Sequence, residues 1–95
     1  MTLDLQRREV VVAGNEPVLL TPLEVELLNY LMLNAGHVLM TEALIDQVWG
    51  PQGGTRSMLR QLVHRLRQKI EPNPAEPIYI ETVSGLGYGF VKQPD

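Results

Sequence analysis

The chain contains no cysteine. It therefore has no disulfide frame, no thiolate metal site and no cysteine nucleophile, and a reducing, cytoplasmic location is compatible with that. No apolar run approaches a membrane-crossing length of about 18 residues. The opening stretch MTLDLQRREV also lacks the apolar segment of a secretory leader. A cytoplasmic protein with no membrane contact is expected. There is no internal repeat and no low-complexity tract. Catalytic groupings are missing as well: no Ser/His/Asp set is spaced for nucleophilic attack, and no His or carboxylate cluster is spaced for a metal. Glu24 and Glu26 read as a capping acid and a surface acid, not as an acid–base pair. Enzyme activity, catalytic residues, metals and cofactors are therefore not expected.

A phosphate-cradling loop is the next candidate to fail. Residues 84–90 read SGLGYGF, with glycines at 85, 87 and 89. A dinucleotide site needs a strand, then G-x-G-x-x-G, then a helix that points its N-terminus at the pyrophosphate. Here the third glycine comes one residue early, and only five residues follow Phe90. No helix fits behind the loop. IYIETV (78–83) before the glycines and YGFV (88–91) after them are β-branched and aromatic instead, which reads as a β-hairpin.

The 95 residues, 44% hydrophobic, make one small domain, 1–95, with a modest core. Its first fifth alternates as short strands, LDL (3–5), EVVVA (9–13) and PVLL (17–20), with a turn at Gly14-Asn15, and predicts an antiparallel meander. A helix is then signalled by Thr21 as N-cap, Pro22 at its first position and Glu24 completing a capping box, with Gly36 as its stop. Leu27, Leu28, Leu31 and Met32 give it one apolar stripe. A second helix starts with Thr41 as cap, turns Leu44, Ile45, Val48 and Trp49 inward, and ends at Gly50-Pro51. After the flexible loop GPQGGT (50–55), a third helix over about 56–70 gathers Leu59, Leu62, Val63, Leu66 and Ile70 on one narrow arc. The proline-stiffened EPNPAEP (71–77) leads into the hairpin.

Net charge is −3, which at first argues against an anionic partner, but acid is absent from one place. Residues 55–70 carry Arg56, Arg60, Arg65, Arg67 and Lys69 and no Asp or Glu, so this window is +5 and the rest of the chain −8. Opposite the apolar arc lie Gln61, His64 and Gln68, flanked by Arg60 and Arg67 on one side and by Arg65 and Lys69 on the other. With no acid within the helix these cations repel one another, and the helix gains stability when an anion is supplied. A basic stripe on one exposed helix is a nucleic-acid footprint. Meander, three helices and a flanking hairpin make an α+β winged helix-turn-helix, in which a helix enters the major groove and a hairpin touches backbone or minor groove. On this reading the glycines of the hairpin let its tip turn and approach the sugar-phosphate backbone.

The stretches LTPLEVELLNYLMLNAGHVLMTEALIDQVWG, LVHRLRQKIEPNP and IYIETVSGLGYGF together resemble the C-terminal DNA-binding domain of OmpR/PhoB-type response regulators, over about residues 3–91. LRQKIEPNP and the wing resemble the KdpE branch, and the branch stays open. The resemblance implies a transcription factor fused to an N-terminal receiver domain that this chain lacks. It also implies a direct-repeat operator bound by tandem domains, each monomeric in isolation, with RNA polymerase as a partner possible at the 50–56 loop. Its base-contact positions fall on Met58, Gln61 and Arg65, with His64 and Gln68 also facing the duplex. Trp49, Ser57 and Arg67 match its phosphate-touching positions, and the cations Arg56, Arg60 and Lys69 join them as expected backbone or flanking contacts. Thr82, Ser84 and Tyr88, with Gly85 and Gly87, would be the wing contacts. There are departures. Ser57 stands where the family usually has Arg at the start of this helix, and Arg60 where it commonly has Asp. Ser84 and Gly89 replace wing arginines, and a wing without arginine grips a minor groove weakly.

Several residues keep two readings. Trp49 suits the core or a phosphate, Met58 the core edge or a thymine methyl, and His64 a plain surface or a phosphate. Arg65 suits a bidentate guanine contact, against a solvated surface charge. For the whole domain, a protein–protein module that offers its basic helix to an acidic partner is the alternative to DNA binding.

Overall fold

The computed structural model describes residues 1–92, so the last three residues of the expected 1–95 domain lie outside the described residues. Strands β1 (Thr2–Asp4), β2 (Glu9–Val11) and β3 (Val18–Leu19) form an antiparallel sheet in that order. This is the expected meander, with shorter strands. Gly14 takes φ 81° in the turn between β2 and β3, and Asn15 N–H donates to Val12 O at 2.8 Å. Helix α1 (Pro22–Leu33) follows, then strand β4 (Val38–Met40), helices α2 (Thr41–Trp49) and α3 (Arg56–Ile70), and strands β5 (Ile80–Val83) and β6 (Gly87–Phe90).

Local chemistry sets the helix starts. Thr21 Oγ1 accepts from Glu24 N–H at 3.2 Å while Glu24 Oε1 accepts from Thr21 N–H at 2.8 Å, a complete capping box. Thr55 Oγ1 accepts from Met58 N–H at 3.2 Å and caps α3. Val10, Val12 and Leu20 of the meander, Leu27, Leu28 and Leu31 of α1, Leu44 and Ile45 of α2, and the α3 arc share one buried core with Ile80 and Phe90. All five predicted apolar residues of α3 are buried in it. Val48 and Trp49 pack only half-buried at its edge.

The structure differs from the sequence reading at three places near the wing. The hairpin is one part of a three-stranded sheet ordered β4-β6-β5, with Leu39 opposite Tyr88 and Thr82 opposite Tyr88 on the other side. Thr41 does not cap α2: Met40 occupies the cap position without a side-chain bond, and the Thr41 hydroxyl donates to Leu86 O at 3.2 Å in the wing. Finally, α1 ends at Leu33, short of Gly36. Gly36 takes φ 89° in the connection and donates its N–H to Phe90 O at 2.9 Å.

Those contacts change the role of the wing glycines. Gly85, at φ 77°, is the turn residue. Gly87 is buried, and a Cβ there would run into Leu39 O and Thr41 N of the adjoining strand and helix start. Gly89 is also buried, lying against His37 O. Close approach of β4 therefore explains two of the three glycines, among them Gly87, which the sequence reading expected as a wing contact.

Candidate nucleic-acid interface

Because α3 commits one arc to the core, its other arc is fixed outward. Ser57, Met58, Arg60, Gln61, His64, Arg65 and Gln68 are all exposed on it. Met58, 38% exposed, stands off the core on this outward arc. The helix thus presents a continuous face of amides, a thioether, an imidazole and guanidinium groups, the donors and apolar surface with which base edges are read.

The five cations are not equivalent, because tertiary contacts supply partners that the helix itself lacks. Lys69 Nζ donates to Glu24 Oε1 at 2.6 Å and lies 3.3 Å from Leu19 O, which ties the end of α3 to the start of α1. Burial alone would raise the Glu24 carboxyl, which is 2% exposed, but the Lys69 ammonium and the Thr21 amide hold it below its ordinary value. Lys69 is turned toward this carboxylate, so the charge expected on the DNA backbone is already shared with an acid of α1. Arg56 pairs with Glu42 of α2 in the open, where the bond is screened by solvent. Its carboxylate partner is held below the ordinary range mainly by that guanidinium. Arg60 and Arg65 have no hydrogen bond or ion pair among the described residues.

Arg67 faces the wing. Its Nη2 donates to Ile80 O at 2.7 Å and to Thr82 Oγ1 at 2.8 Å, and its Cζ lies 5.9 Å from the Tyr88 ring centroid. Its Nε is buried without a partner. The head group expected on phosphate is therefore engaged by β5.

Glu71 was absent from the expected site, yet it sets where the wing starts. It follows α3 directly and is 6% exposed. Its carboxylate accepts from the amides of Ile78 and Ile80 at 2.8 Å and of Tyr79 at 3.1 Å. An acid at a helix C-terminus opposes the helix dipole, and that local conflict was the sequence signal for a partner elsewhere.

Around the interface, Thr82, Ser84 and Gly85 are exposed, Tyr88 is half-buried and Leu86 is 53% exposed at the tip. Thr82, Tyr88, Thr41 and Arg56 border a shallow groove of about 120 Å³ between the wing and the helix starts. Trp49 lies under the loop that precedes α3. A Cβ on Gly54 would strike the indole ring, and one on Gly53 would strike Trp49 O. The ring supports this turn from the core side while remaining half-exposed.

Residues 15–90 match the family described as transcriptional regulatory protein, C terminal. The chain belongs to this family, the OmpR/PhoB-type C-terminal domains. It is 46% identical over 92 residues to the KDP operon transcriptional regulatory protein KdpE of Escherichia coli K12, covering 96% of this chain and 40% of that protein. It is 49% identical over 88 residues to the sensory transduction protein RegX3 of Mycolicibacterium smegmatis, covering 90% and 38%. This OmpR/PhoB-type domain thus spans about two-fifths of the length of these curated relatives. Among solved structures it is similar to the Klebsiella pneumoniae RstA DNA-binding domain in complex with the RstA box. That match has a TM-score of 0.78 and 33% identity, over 94% of this chain and 88% of that one. The neighbours are winged-helix domains, as the α+β architecture is here. No helix among the described residues is long and apolar enough to cross a membrane.

Proposed function

We propose that this domain regulates transcription in the cytoplasm by binding duplex DNA in a sequence-dependent way, as the effector half of a two-component response regulator. The carrying observation is the outward arc of α3, where polar and basic side chains stand exposed on a helix whose other side is locked into the core. An α-helix of this kind fits the major groove. Family membership supports the reading, as does the RstA relative, whose structure is described as a complex with its box. Met58, Gln61 and Arg65 read base edges. Arg60, His64, Gln68 and Ser57 flank them, with Arg56 and the Trp49 indole N–H on phosphate at the helix start. Thr82, Ser84, Gly85 and Tyr88 meet the backbone from the wing, and the absence of arginine there leaves most sequence discrimination to α3. A receiver domain precedes the effector in the full-length protein, two effectors occupy a direct repeat head to tail, and the 50–56 loop is the surface offered to RNA polymerase.

The test is a titration of the domain against a site selected from random duplexes, across a range of salt. Among the described residues Arg60 and Arg65 have no partner, and Arg56 is held only by an exposed pair. With Arg65 on a base edge, Arg60 and Arg56 neutralise about two phosphates, which predicts a log–log slope of about −2 per domain. A flat salt response, or tight binding to an acidic protein and none to duplexes, would overturn the DNA reading.

A further inference from the structure

We infer that Arg67 is a positioning residue for the wing, acting on DNA through Thr82 and Tyr88 without touching it; this rests on the DNA-binding reading above. Four observations point the same way. The guanidinium spends one nitrogen on two acceptors of the same strand, Ile80 O at 2.7 Å and Thr82 Oγ1 at 2.8 Å. Its Cζ is 5.9 Å from the Tyr88 ring centroid, so the charge is also held by the aromatic on the neighbouring strand. Its Nε is buried without an acceptor, a cost that an outward-pointing arginine would not carry. Thr82 and Tyr88 are directly opposite one another across the β5–β6 ladder, so a single group orients both.

The chemistry gives this contact a direction. A hydroxyl that accepts from a guanidinium keeps its own proton free for another acceptor. With Arg67 as donor, the exposed Thr82 hydroxyl presents that proton outward, where a phosphate oxygen would accept it. The positive charge behind it strengthens the donor. Glu71 completes the brace by holding the amides of residues 78–80 one turn further along α3. Recognition helix and wing are thus set relative to each other by side chains of α3 and of its cap.

Salt dependence separates positioning from contact. If Arg67 touched phosphate, Arg67→Met would lower the magnitude of the salt slope by about 0.9, and Arg67→Lys would largely restore binding. Positioning predicts that both variants lose affinity by about tenfold, the scale of one hydrogen bond to a charged group, with the slope unchanged. The fold of each variant is checked by its thermal transition without DNA. Thr82→Val and Thr82→Ser give a second route should the arginine variants fail to fold. Thr82→Val loses affinity with an unchanged slope, and Thr82→Ser, which keeps the hydroxyl, retains it. In the Arg67→Met background Thr82→Val adds no further loss. A lowered slope, rescue by lysine, or a Thr82→Val variant that binds like wild type would each overturn the inference. Loss of salt-dependent binding by the wild-type domain would instead overturn the DNA-binding reading itself.

Discussion

Replacing Glu71 by glutamine changes almost no volume but removes an acceptor that the backbone uses. The carboxylate takes the N–H groups of three consecutive residues, Ile78, Tyr79 and Ile80, through both oxygens. Glutamine keeps one oxygen and points an NH2 at the remaining donor, so one amide loses its charged acceptor and meets another donor. The residue is 6% exposed, and Tyr79 and Ile80 are buried beside it, which leaves water little room to substitute. Losing one hydrogen bond to a charged group, with a buried N–H left unsatisfied, costs about 1.5–3 kcal/mol. For a domain of this size that is a fall in Tm of about 10–20 °C. Circular dichroism melts, paired with urea denaturation, measure it. The control is Glu42→Gln, whose exposed pair with Arg56 should leave the transition where it was. A Glu71→Gln domain that melts within a few degrees of wild type would refute the role given to this carboxylate.

Glu24 makes folding stability depend on acid. Its native value lies below the ordinary 4.5, so its contribution is complete above the unfolded value and disappears as pH falls through the native one. The stability gap between wild type and Glu24→Gln should accordingly be widest near neutrality and shrink below about pH 4, read from urea midpoints across pH. Gly87→Ala should force β6 away from β4 at Leu39 O and Thr41 N and destabilise the domain by about 1–3 kcal/mol; an unchanged urea midpoint would contradict that packing. Arg65→Ala should cost about 1–3 kcal/mol on the selected site and little on random duplex, measured by competition binding. For tandem domains, half-sites should recur at about 10–11 base pairs. Footprints should lose cooperativity when about 5 base pairs are inserted between them.

What the sequence made legible was whatever a short window could contain. The Thr21–Glu24 box lies within one turn, and the α3 arc repeats over four turns, so both could be read before any packing was known. Strand β4 could not be. The three residues Val38–Met40 carry no period, and their partners lie at 87–89. Thr41 shows the same limit from the other side: a good local cap was overridden by Leu86 O, 45 residues away. The cations of α3 were read against acids on their own helix, while Lys69 found Glu24 on another and Arg67 found the wing. The outward arc was legible because burial of its opposite side was; which of its charges remain free was a matter of tertiary structure.

The placement of β6 between two partners bears on what association would cost. An isolated two-stranded ribbon is marginal in water and would have to lose backbone freedom when it met a duplex. Here the strand from Gly87 to Phe90 is hydrogen-bonded along both edges, to Val38–Met40 and to Ile80–Val83. Only the tip, Ser84 to Leu86, lies between ladders. The wing is already ordered before any partner arrives, so the entropy of shaping it belongs to folding and is not subtracted again from binding. Under the DNA-binding proposal, neutral contacts at Thr82 and Tyr88 then contribute most of their interaction energy to affinity, as a rigid surface would, although the wing strands themselves carry no arginine.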